Sequence, residues 1–92
     1  MKIVINTRHG GFSLTDQAIE KYKSMKNIEG KVYDFEIPRE DPVLVEIVEE
    51  MGSESGGCFS DLKVVEIPDG VEWQIDEYDG LEWVAERHRT WR

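Results

Sequence analysis

The chain has 92 residues, 39% of them apolar by type and 34% charged, with 20 acidic against 11 basic side chains and a formal net charge of −9. That length holds one hydrophobic core and hence one domain, residues 1–92, and a core so small favours self-association into a homo-oligomer. The charge excludes general nucleic-acid binding, which is driven by counterion release from basic patches; the lone Cys58 excludes an internal disulfide, and the lack of a signal-like segment or of a span of about 20 apolar residues points to the cytoplasm and away from a membrane.

In chain order, residues 2–6 (KIVIN) read as a buried first strand, because Ile3, Val4 and Ile5 are consecutive and β-branched. The turn Arg8-His9-Gly10-Gly11 follows, and a helix starts after it. Thr15 is a good N-cap, Asp16 suits the positive end of the helix dipole, and Leu14 with Ile19 has the spacing of a hydrophobic staple. Ala18, Ile19, Tyr22 and Met25 recur at helical spacing as the core face, with Gly30 near the stop. Residues 31–37 alternate imperfectly and end at Pro38, which predicts a second strand. A parallel βαβ unit would then put the Arg8–Gly11 turn at the carboxyl edge of the sheet, where open α/β sheets bind ligands.

The clearest helix begins at Asp41-Pro42 and closes at Gly52, with Leu44, Val45, Val48 and Met51 as its buried stripe. After the flexible SESGG come a strand at 62–67, the turn Pro68-Asp69-Gly70, and a strand at 71–78 in which Val71, Trp73 and Ile75 alternate with polar residues. Trp73 is expected in the core, whereas Trp83 reads equally as core or surface. Asp79-Gly80 is a hairpin turn into a last strand at 81–86. The expected fold is α+β: a small mixed β-sheet with two helices packed on one face, order β-α-β-α-β-β-β, with a C-terminal β-hairpin.

Few residues could carry chemistry. Cys58 lies in no nucleophile elbow and is expected to be a small buried residue. No His, Cys or carboxylate spacing matches a metal site, and no cofactor is implied. From Glu66 to Glu86 there are eight acids and no Lys or Arg, after which Arg87, His88, Arg89 and Arg92 follow at once. The two basic segments are the candidate ligand-binding site. Arg8, Arg87 and Arg89 would neutralise phosphate, Gly10 and Gly11 would let a backbone approach it, His9 and His88 would donate hydrogen bonds, and Phe12 or Trp91 would stack on a base. Each segment also has a plainer reading, the first as a tight turn and the second as a solvated tail or a strand whose tryptophan packs on the core.

Three stretches, MKIVINTRHGGFSLTDQAIEKY, DFEIPREDPVLVEIVEEMG and LKVVEIPDGVEWQIDEYDGLEWVAERHRTWR, together resemble a family of small proteins encoded by tailed bacteriophages, in which MKIVIN, a GGFSLS-like helix start and an EYDGxEWxAExHRTW ending recur together. Thr15 stands where that family often has serine and keeps the N-cap. The family has no assigned reaction, and the resemblance implies a nonenzymatic accessory protein of the host bacterial cytoplasm, in counter-defence or host takeover. By analogy with other small phage proteins, it would bind and sequester a small phosphorylated, nucleotide-like immune signal without cleaving it. The alternatives are an acidic inhibitor that covers a basic surface of a host enzyme, for example as a nucleic-acid mimic, and a hydrolase of such a signal using His9 or His88.

Overall fold

A computed structural model describes residues 1–87. Among these residues the fold is α+β, with two α-helices and two small antiparallel two-stranded sheets. Strand β1 (Lys2–Asn6) pairs with β2 (Leu62–Glu66) in a register running from Lys2 opposite Glu66 to Asn6 opposite Leu62. Helix α2 (Pro42–Met51) packs on both of these strands, and helix α1 (Asp16–Lys26) packs against α2. The C-terminal hairpin joins β3 (Trp73–Tyr78) to β4 (Leu81–Glu86) through Asp79-Gly80, both at positive φ as a type I′ turn requires.

The local signals explain most of this. Thr15 accepts the Ala18 N–H and caps α1, and Asp41 accepts the Val43 N–H and caps α2 with Pro42 in the first helical turn. Val4, Leu14, Ala18, Tyr22, Ile37, Leu44, Val45, Ile47, Val48 and Leu62 share one core. Ile47 belongs to it although the expected stripe omitted it, because α2 is covered by the sheet on one side and by α1 on the other. Met25, expected on the core face, is exposed although it lies within α1; the helix itself ends before Gly30, where Asn27 takes the left-handed conformation at φ 55° and the Ile28 N–H bonds back to Lys23 O.

Residues 31–37 depart from the expected strand. They hold a 3-10 turn at Asp34–Glu36, with Val32 and Ile37 turned to the core and the exposed rings of Tyr33 and Phe35 stacked 5.4 Å apart. The turn lets the Asp34 carboxylate accept the Leu14 N–H, a bond an extended chain would not direct there. No parallel pair forms among the described residues. The partner of β1 is β2, and the Arg8–Gly11 turn lies against the hairpin rather than at the open edge of a βαβ unit. The mixed sheet is thus replaced by two separate ladders, and Trp73 is only half-buried.

Asp41 joins the helices. Its carboxylate accepts Tyr22 Oη at 2.8 Å, Lys26 Nζ at 2.7 Å and the Val43 N–H at 2.8 Å, with its side chain 5% exposed. Burial pushes its pKa up, but the hydrogen bonds from Lys26, Tyr22 and Val43 outweigh this and hold it below the ordinary carboxylate value of 3.8. A depressed folded pKa contributes stability that is present above the unfolded value and is lost as pH falls through the folded one. Asp41→Asn is therefore expected to cost about 2–3 kcal/mol at pH 7. Urea unfolding should show that deficit shrinking as pH falls below ~4 and vanishing once it has passed the lower folded pKa, where the native carboxyl is neutral too.

Candidate functional site

The site is organised by the open edge of β1. The Val4 N–H donates to Arg39 O at 2.9 Å, Arg39 Nη1 donates to Val4 O at 3.3 Å, and the Asn6 N–H donates to Glu82 Oε1 at 2.8 Å. Arg39 and Glu82 meet as a two-pronged ion pair at 2.6 and 2.9 Å, with side chains only 22% and 9% exposed. The Phe12 ring lies 3.7 Å from the guanidinium carbon. A strand edge in need of partners is thus closed by side chains and one carbonyl, which stops it from pairing with another chain.

Asn6 is fully buried and uses its whole hydrogen-bonding capacity. Nδ2 donates to Arg8 O at 2.6 Å and Gly80 O at 2.7 Å, and Oδ1 accepts the N–H groups of Arg8 at 3.3 Å and Asp61 at 2.9 Å. One side chain therefore joins the Arg8–Gly11 turn, the hairpin turn and the approach to β2. The two turns touch directly, with the Gly10 N–H donating to Asp79 O at 3.2 Å. Glycine is needed on both sides: a Cβ at Gly80 would strike the backbone nitrogens of Gly10 and Gly11, and one at Gly10 would lie 2.7 Å from Phe59 Cβ.

The predicted ligand residues are placed as follows. Arg8 is exposed, with Nη1 3.4 Å from Cys58 O. His9 is exposed, with Nδ1 4.0 Å from the Asp79 carboxylate and its ring edge-on to Tyr78. Gly10 and Gly11 line a groove of about 390 Å³ together with Glu77, Asp79 and Gly80, so carboxylates rather than cations border them. Phe12 is stacked on Arg39 and packed against the core, which takes one face of its ring from any base. Arg87 sits at the far end of the hairpin, its N–H on Glu72 O and its Nε 3.4 Å from Gln74 Oε1. A six-residue strand separates it from the turn, a span of roughly 20 Å. His88, Arg89 and Trp91 lie outside the described residues.

Cys58 is exposed, contrary to the buried position expected of it. Sequence reasoning missed Asn6, Arg39 and the inward role of Glu82. A signal for Glu82 was available: the Asp79-Gly80 turn sets Glu82 directly opposite Glu77, and two like charges on one face need a cation nearby. Among the described residues no three His, Cys, Asp or Glu side chains group as a metal site, and no helix is long and apolar enough to cross a membrane.

The hairpin itself is thinly covered. No residue of β3 or β4 is fully buried, although the Glu82 side chain is only 9% exposed. Because Glu82 turns towards β1, the opposite face of the ribbon carries Gln74, Asp76, Tyr78, Leu81, Trp83 and Ala85. On that face Tyr78 is 73% and Trp83 43% exposed, beside the carboxylate of Asp76. Comparison with protein-family models, with characterised proteins and with solved structures gives no match that would name a family for the chain.

Proposed function

We propose that the chain is a protein-binding module whose acidic β3–β4 hairpin docks on a basic surface of another protein. The observation that carries this reading is the outer face of the ribbon, where Tyr78 and Trp83 stand exposed in a segment of eight acids and no Lys or Arg. Aromatic side chains set in a charged surround are the usual anchors of protein interfaces, and the acids supply charge complementarity and fast association. On the phage-family resemblance, the partner is a host-cell protein and the role accessory.

The test is calorimetry with a partner purified after affinity capture. Trp83→Ala is expected to weaken the complex about tenfold or more, and the charge reversal Asp76→Lys on the same face by a similar factor. Raising salt from about 50 to about 200 mM should weaken it further. Glu82 is left out of the charge reversal because it is committed to Arg39. Affinity indifferent to all these changes, in variants with wild-type melting temperatures, would remove the reading.

Capture of a small phosphorylated, nucleotide-like ligand is the second reading. It draws on one observation: Arg8 and His9 stand exposed at a turn flanked by the exposed rings of Tyr78 and Phe59. It ranks second because the Gly10 N–H is already bonded to Asp79 O and the adjoining groove is acidic. The same calorimeter separates the two, since heat with a nucleotide that is lost in Arg8→Ala belongs to this reading alone.

A further inference from the structure

We infer that the outer edge of β3 accepts an extended basic segment of the partner as a third strand; this rests on the protein-binding reading and names the chemistry of the partner. The parity of the hairpin decides which backbone groups are available. In an antiparallel pair, opposed residues alternate between those that exchange both hydrogen bonds and those that exchange none. The Arg87 N–H donates to Glu72 O, which marks 72 and 87 as a bonded pair. Stepping by two along the register, Gln74 with Ala85, Asp76 with Trp83 and Tyr78 with Leu81 are bonded pairs as well. Trp73, Ile75 and Glu77 therefore direct their N–H and C=O groups away from β4, and among the described residues nothing bonds them there.

This edge differs from that of β1, which Arg39 and Glu82 close. Edge strands are commonly protected by proline, by charged side chains, lysine above all, or by a bulge; residues 73–78 have no proline, lysine or bulge, and their Asp76 and Glu77 repel an acidic strand while leaving the edge open to a basic one. A row of unpaired backbone groups beside aromatic and β-branched side chains is the acceptor used in β-strand addition, where the main chain gives affinity and alternate side chains give specificity. The flanking side chains define what the added strand carries. On the inner face it meets Trp73 and Ile75, which suit apolar residues; on the outer face it meets Asp76 and Tyr78, which suit Lys or Arg through charge pairing and cation–π contact. A second copy of a chain with net charge −9 matches this pattern poorly, whereas an alternating apolar and basic segment matches it at Trp73, Ile75, Asp76 and Tyr78.

The probe is a capped Lys-Val-Lys-Val-Lys-Val-Lys peptide, with its Glu-for-Lys counterpart as control, followed by amide hydrogen exchange of the isotope-labelled full chain. The lysine peptide is expected to slow exchange at the Trp73, Ile75 and Glu77 amides about tenfold or more, while the Gln74 and Asp76 amides are protected with or without it. The glutamate peptide should do nothing. Ile75→Pro removes an outward N–H and no bond of the ladder, so it should abolish peptide binding while the Gln74 and Asp76 amides stay protected. Peptide binding that leaves the three edge amides exchanging freely overturns edge docking but leaves docking on the aromatic face intact. Edge amides protected in the protein alone, increasingly with its concentration, overturn it in favour of a second copy, and no binding of either peptide overturns it outright. Failure of the broader protein-binding reading shows separately, as a partner complex insensitive to Trp83→Ala and to the charge reversal.

Discussion

Glu82→Ala is expected to destabilise the protein by about 3–4 kcal/mol, the largest effect of any single carboxylate here. The Glu82 carboxylate receives both prongs of Arg39 and also the Asn6 N–H at the edge of β1. Its removal leaves a largely buried guanidinium without a counter-charge and a strand N–H without an acceptor, so the cost exceeds what the pair contributes when intact. For a chain of this length, such a loss should lower the melting temperature by more than about 10 °C. Glu86→Ala is the control: this residue is exposed on the same strand, and its loss should change stability by less than about 0.5 kcal/mol. Equal melting curves for the two variants would show that the Arg39–Glu82 pair does not hold the hairpin.

Asn6→Ala should cost as much, about 3–4 kcal/mol. Four hydrogen bonds from one fully buried side chain are lost, and the carbonyls of Arg8 and Gly80 and the N–H of Asp61 are left without that partner. Asn6→Asp keeps the acceptor and loses the donors while adding a charge near Glu82, so it should be worse than Ala at neutral pH and recover as the carboxyl is protonated. Since Asn6 and Glu82 both attach the hairpin turn to β1, their effects should not add. In the Asn6→Ala, Glu82→Ala double variant, chemical denaturation is expected to give a total at least about 1 kcal/mol below the sum of the singles. Full additivity would mean that the two act through separate parts of the structure.

The ligand site expected at the two ends of the chain and the network found at the hairpin turn share residues but differ in purpose. Gly10 and Gly11 were expected to admit a phosphate, and they admit Gly80 of another turn instead. Phe12 was expected to offer a face to a base, and one face is occupied by Arg39. In both places the residue type was read correctly, since glycine allows close approach and an aromatic ring attracts a cation. What approached was the chain itself. The Arg8–Gly11 turn is therefore largely accounted for by folding, and the exposed Tyr78 and Trp83, with an edge of β3 that no other described residue pairs, are binding groups that folding leaves unused.

By itself the sequence determined the elements whose signals are local: the caps at Thr15 and Asp41 with Pro42, the amphipathic stripes of both helices except at Met25 and Ile47, the β-branched run of β1, and the Asp79-Gly80 turn that sets the hairpin register. Each follows from hydrogen bonding or side-chain period within a few residues. Tertiary structure decided the rest. Whether residues 31–37 became a strand depended on a partner for their backbone, and the edge of β1 was taken by Arg39 and Glu82, 35 and 76 positions away from the residues they bond. The pairing of β1 with β2, the burial of Glu82 and the contact of the two glycine turns rest on groups distant in sequence. Such contacts are selected by which arrangement satisfies every buried donor, acceptor and charge at once, a condition that no local window of sequence contains.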